Sequence, residues 1–150
     1  MSTHEVVSGF EFITTTLKAS SQWVALSLGG VKRGKAPVDA TFPLTIIAFQ
    51  SGIDVIYANA VRSSVDALYQ IKAMGPTDPG FGSTQAVFDL AAAIDDAFGG
   101  DQGLKHIPVT GGYVLSSYRQ SPLQYDDDTA GISYTHIGGL WRIRVQKRSS

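Results

Sequence analysis

Few residues of this chain have the types and spacing that chemistry needs. Gly29-Gly-Val-Lys-Arg-Gly34-Lys35-Ala36 has the spacing of a phosphate-binding P-loop, a glycine, four residues, then Gly-Lys. Ala36 stands where a hydroxyl would bind Mg²⁺, and Pro37 and Pro43 imply an extended arm rather than a helix aiming its amides at phosphate. Nucleotide binding is therefore not expected. Asp126-Asp127-Asp128 with Gly131 has the carboxylates of a calcium loop, but Ile137 stands where an EF-hand places its bidentate glutamate. A solvated acidic turn between two strands is the expectation. His4, His106 and His136 fall in three separate segments, so neither a metal pair nor a triad can be assembled locally. Each is expected at the surface or half-buried, with His136 inside a strand. The two glutamates, Glu5 and Glu11, share the first helix, which disfavours a two-carboxylate hydrolase. There is no Gly-x-Ser-x-Gly elbow and no cysteine. No catalytic residue, metal or cofactor is expected, and the chain reads as a non-enzyme.

Binding chemistry is better represented. Lys32, Arg33 and Lys35 form one basic cluster, and Arg142, Arg144, Lys147 and Arg148 form another. Their plain reading is a solvated loop and the wet face of a strand. Their functional reading is contact with phosphate or with an acidic neighbouring surface such as Asp126, Asp127 and Asp128. Twelve Lys+Arg against 13 Asp+Glu leave a net charge of −1, which favours the neighbour over a dedicated grip on nucleic acid. Charged residues are only 17% of the chain, below the roughly 25% of an ordinary soluble domain, so part of the surface is expected to be covered by something else. At 150 residues the chain is expected to be a single domain, and no apolar run approaches the ~20 residues of a membrane span. The first residues lack the basic and apolar regions of a signal peptide, so an intracellular protein is expected.

The elements that must carry these residues follow from periodicity. Ser2-Thr-His-Glu5 has capping-box spacing, and Val6, Phe10, Ile13 and Leu17 share one face of a helix that runs to about residue 20. Residues 21–43 read as an irregular arm broken by glycine and proline, anchored at Trp23 to Leu26. Leu44 to Gln50 reads as a strand buried on both faces, while residues 53–62 leave strand and loop equally open. Val65 to Ala73 alternates as a strand with a wetter side that includes Asp66, Leu68, Gln70 and Lys72. A turn at Gly75 to Gly80 leads, through a cap at Ser83 or Thr84, into a helix marked by Val87, Leu90, Ile94 and Phe98 and stopped at Gly99-Gly100. Strands at 112–120 and 133–146 complete the chain, the second with a bulge or bend at Gly138-Gly139. The predicted fold is α+β, an antiparallel sheet of about four strands backed by two helices, in the order α-β-β-α-β-β.

Ala36-Pro37, Phe42-Pro43, Leu44 to Gln50 and Ser51-Gly52-Ile-Asp54 together resemble the first half of the tail terminator (tail completion) proteins of long-tailed, non-contractile bacteriophages. Val65 to Met74, the helix through Asp89 to Phe98, and Tyr134-Thr-His136-Ile-Gly138-Gly139-Leu-Trp141-Arg-Ile143 resemble the second half. The resemblance implies a non-enzymatic virion subunit, made in the host cytoplasm, that assembles into a homohexamer ring. Such a ring caps the tail tube protein, ends its polymerisation and presents a face to the head-side connector protein, with passing contact to genomic DNA in the lumen and none to membrane. A neighbouring connector or neck subunit is the alternative. The family motif specifies no contact residues. Charge alone nominates Lys32, Arg33, Lys35, Asp126, Asp127, Asp128, Arg142 and Arg144, the first three expected to pair with the aspartates across a subunit boundary.

Overall fold

The computed structural model describes residues 4–56, 62–77, 82–129 and 131–147. In chain order the elements are α1 (Glu5–Lys18), α2 (Ser21–Leu26), β1 (Val31–Arg33), β2 (Leu44–Ile56), β3 (Arg62–Pro76), α3 (Gly82–Ala97), a 3₁₀ turn (Gly100–Gln102), β4 (Leu104–Val109), β5 (Gly112–Thr129) and β6 (Ile132–Lys147). The strands form one six-stranded mixed sheet in the order β1-β2-β3-β6-β5-β4.

This corrects the expected four-stranded antiparallel sheet with two helices. The two additional strands are the edges. β1 has three residues between glycines, too short for any period, and pairs parallel with Thr45 to Ile47 of β2, reached through residues 34–43. β4 carries Pro108 and has His106 at φ 55°, so its alternation is broken. The third helix, α2, lies in the segment expected to be irregular. Ser20 caps it by accepting from the amide of Trp23 at 3.2 Å. Ser2 and the turn residues from 78 to 81 lie outside the described residues, as does the side chain of Ser83. The described cap of α1 is His4, whose Nδ1 accepts from the Val6 amide at 3.2 Å.

Period-2 alternation decides which face of the sheet is dry. Val65, Ala67, Tyr69, Ile71 and Ala73 of β3, with Trp141, Ile143 and Val145 of β6, turn toward the helices and are buried. Phe12, Ile13 and Leu17 of α1 and Val87, Leu90 and Ile94 of α3 complete that core. Two polar ties fix the helices to the sheet. The Trp23 indole donates to Thr45 Oγ1 at 2.9 Å, and the Tyr69 hydroxyl donates to the Val6 carbonyl at 2.9 Å. Burial pushes the Tyr69 hydroxyl's pKa far up, against the opposing pull of Arg33, so it stays a donor. Gly9 faces that hydroxyl so closely that a Cβ would lie 2.0 Å from it.

The opposite face has no helix over it. β2 and β3 run together past the body as a long ribbon, and every residue from Phe49 to Ile56 is exposed except the half-buried Val55. Gly138-Gly139 makes no bulge in β6; the register shifts lie across from it in β5, between Val114 and Ser116 and between Arg119 and Ser121. Gly138 instead permits close approach, since a Cβ there would sit 2.1 Å from the Ile71 carbonyl oxygen.

Candidate functional site: a lysine, tyrosine and histidine cavity on the open face

One end of the open face is roofed. After β1 the chain crosses over the sheet through residues 34–43, and Phe42 packs on Tyr134 with ring centroids 5.3 Å apart. Leu44, Ile46 and Met74 lie beneath as a small second core. Between this arm and the β5–β6 hairpin lies a cavity of about 720 Å³. Ile46, Lys72 and Met74 form its floor, Ala36, Pro37 and Val38 one wall, and Tyr125, Ile132 and Tyr134 the other.

Strand register brings its polar groups together. Tyr125 is directly opposite His136 across the β5–β6 ladder, and their rings stack at 4.4 Å with 7° between planes. Asp127, two residues along the same face, reaches His136 Nε2 with Oδ2 at 3.0 Å. Lys72 is opposite Gly138, and its ammonium bonds the Tyr125 hydroxyl while lying 4.9 Å from that ring's centroid. Lys72 and His136 are 7% and 4% exposed, so this is a built polar site rather than a surface coincidence. Burial lowers the His136 pKa first, the Lys72 charge adds to that, and Asp127 and Asp126 oppose it.

What this arrangement can do is bind. Asp127 and His136 look like two members of a nucleophilic triad, but His136 Nδ1 has no hydrogen-bond partner, so no hydroxyl is poised for activation. Among the described residues no group of three His, Cys, Asp or Glu could hold a metal ion. Lys72 has no ion pair with a described carboxylate, and Asp127 has its Oδ2 engaged by His136. The cavity thus offers cations and apolar walls to an incoming group.

The nominated residues separate into three places. Lys35 and Asp127 line this one cavity of a single chain. Arg33 turns to the helix side, its guanidinium 4.5 Å over the Phe10 ring, whereas Lys32 pairs with Ile46 and faces the open side. Asp126, Asp127 and Asp128 belong to β5 itself rather than to a turn, with Asp126 and Asp128 on the opposite face from Asp127. Arg142 donates to Gln120 at 2.7 Å and Asp66 at 3.2 Å, and Arg144 to Ser64 at 3.1 Å, tying neighbouring strands on the open face. Lys72 and Tyr125 were not nominated. The one available signal was a lone lysine in the otherwise largely apolar run from Ala67 to Met74.

The class this defines is a mixed, mostly antiparallel six-stranded sheet with helices on one face and a notched second face that no helix covers. No family matches the sequence, and no curated protein matches it either. Among solved structures, a chain of the structure titled "Virion of native gene transfer agent (GTA) particle" has a similar fold, with a TM-score of 0.56. The match has 14% sequence identity and covers 89% of this chain and 91% of that one.

Proposed function

We infer that this chain is a structural subunit of a phage-like virion, and specifically a ring-forming tail terminator. The observation that carries the reading is the fold shared with a chain of a gene transfer agent particle across nearly the whole of both chains. Assembly would also account for the shape of the sheet. β1 covers β2 only from Thr45 to Ile47, and β4 covers β5 only as far as Ser117. Among the described residues the outer edges of Ala48 to Ile56 and of Tyr118 to Thr129 have no strand partner. Open edges of this length are a hazard in a monomer and an asset in an assembly that extends the sheet. The low charge content fits the same account, since faces covered by neighbours need fewer lysines and glutamates. In this reading the protein is not an enzyme, and its partners are its own copies, the tail tube protein and a head-side connector protein.

Native mass spectrometry and negative-stain imaging of the full chain, alone and with tail tube protein, test the assignment. A closed ring of six copies is the expected result. Twelve copies would favour a connector subunit, and a monomer under both conditions would reject the ring.

A further inference from the structure

We propose that the cavity receives the exposed end of β2 from a second copy of this chain, with Asp54 meeting Lys35 and Lys72. The proposal rests on the ring reading and names the contact that builds it.

The cavity specifies the occupant's chemistry. Lys35 and Lys72 are opposed by one carboxylate, Asp127, and His136 beside it is held toward its neutral form. The rim is apolar on both sides, with Val38 wholly exposed on one wall and Ile132 half exposed on the other. The complement is a carboxylate set among apolar side chains.

This chain displays such a group. Asp54 stands between Ile53, 68% exposed, and Ile56, 60% exposed, on the protruding part of β2. It has no ion pair among the described residues. The other exposed aspartates with a bulky exposed apolar neighbour are worse donors, and Asp126, beside Tyr125, sits on β5 next to the cavity itself. Asp39 follows Val38 on the cavity's own wall, and Asp89, beside Phe88, lies on α3 and already accepts from Gln85 at 2.9 Å. In the ribbon, Ile53 and Asp54 pair with Asp66 and Val65 and so point to opposite faces, which suits insertion between two walls.

A copy cannot satisfy itself. Ile46 on the cavity floor and Ile56 at the far end belong to one strand, paired to β3 along its whole length. At ~3.3 Å per residue Asp54, the group that would have to reach the cavity, lies about 26 Å from Ile46. The donor must be another copy, and two different patches meeting head to tail is the contact that closes rings.

The test uses the full-length chain. A mixture of ¹⁵N-labelled and unlabelled protein is treated with a carbodiimide, which couples carboxylates to amines already in contact, and is digested for mass spectrometry. The expected product joins an Asp54 peptide to a Lys35 or Lys72 peptide, one labelled and the other not. In parallel, Asp54→Lys and Lys35→Glu, both at exposed positions, should each weaken assembly by about tenfold or more, and the double reversal should recover most of the loss. Lys72→Met, which keeps the apolar length of the side chain, should weaken assembly while leaving the melting temperature near that of the parent. Rings that form normally with Asp54→Lys and give no mixed-isotope link would overturn the docking and leave the ring reading standing. Links found in open chains rather than rings would support the docking and reject the ring. A parent chain that stays monomeric and gives no link would reject both.

Discussion

Gly138→Ala isolates the close approach of β6 to β3 beneath the cavity. A Cβ at Gly138 would lie 2.1 Å from the Ile71 carbonyl oxygen and 2.5 Å from Lys72 Cα. Carbon and oxygen ordinarily approach to about 3.3 Å, so the overlap is roughly 1 Å, and both opposing atoms are backbone or attached to it. Moving the strands apart by that amount would stretch neighbouring ladder bonds from about 2.9 Å to beyond hydrogen-bonding range. Two such bonds at about 1 kcal/mol each, plus disturbed packing, give a loss of about 3 kcal/mol. In a chain of this size that lowers the melting temperature by roughly 6–12 °C. Gly139→Ala is the control. Its nearest contact is Arg119 Cδ at 2.8 Å, part of a side chain able to swing away, although the Ser121 carbonyl oxygen at 2.9 Å keeps the change from being free. A cost near 1 kcal/mol is expected there. Urea unfolding of both variants, followed by circular dichroism, decides the matter. A Gly138→Ala variant within 1 kcal/mol of the parent, or less affected than Gly139→Ala, would refute the close-approach argument.

Two further outcomes follow from buried groups. Because the His136 pKa is lowered on folding, the unfolded chain binds the extra proton between the folded value and about 6.5, so stability there rises with pH. Stability should therefore fall as pH drops below about 6.5, and His136→Gln should flatten that slope; identical slopes in urea titrations across this window would contradict it. The groups facing the imidazole are Lys72, Tyr125 and Asp127, with Asp126 acting on it through charge from the other face of β5, and the comparison holds them constant. Trp23→Phe removes the donor to Thr45, a fully buried hydroxyl that retains only its 3.2 Å contact with Ser27. A loss of about 1–2 kcal/mol with unchanged helix content is expected by circular dichroism, and unaltered stability would show that the indole bond contributes nothing net.

The elements legible in the sequence are those whose burial is one-sided. The apolar stripe of α3 meets the core throughout; of the α1 stripe Ile13 and Leu17 are buried, Phe10 and Val6 only partly so, and Phe12 is a core residue the spacing missed. β3 alternates in sequence because helices cover one face, although Leu68, Lys72 and Met74 on the other face are buried too. β2 was legible only to Gln50, since beyond that point both faces are wet and no burial period survives. β1 and β4 are edges, three and six residues long: β1 is too short to show a period and pairs about fourteen residues further on, while β4 forms a tight hairpin with β5 but has its alternation broken at His106 and Pro108. The site was partly legible for the same reason. Lys35, Asp127 and His136 were visible as individual residues, but their convergence depends on an arm folding over a sheet. Lys72 sits on the side of β3 that alternation marks as wet, and it is buried only because that arm and Tyr125 roof it. Asp126 to Asp128 resemble a turn by composition because an edge strand carries charges freely.

The long β2–β3 ladder, continuous but for register shifts at Phe49/Ser51 and Val55/Ile56, acts as a ruler. If Asp54 docks in a neighbour's cavity, consecutive contacts are separated by the span from Ile46 to Asp54, about 26 Å. In a hexagon the side equals the radius, so six copies would place their contacts on a circle of about that radius. The gauge of the ring would then be written in strand length rather than in any interface residue. Adding one dipeptide to each strand of the ribbon, which preserves facing, would widen that circle by roughly 7 Å or force a change in copy number.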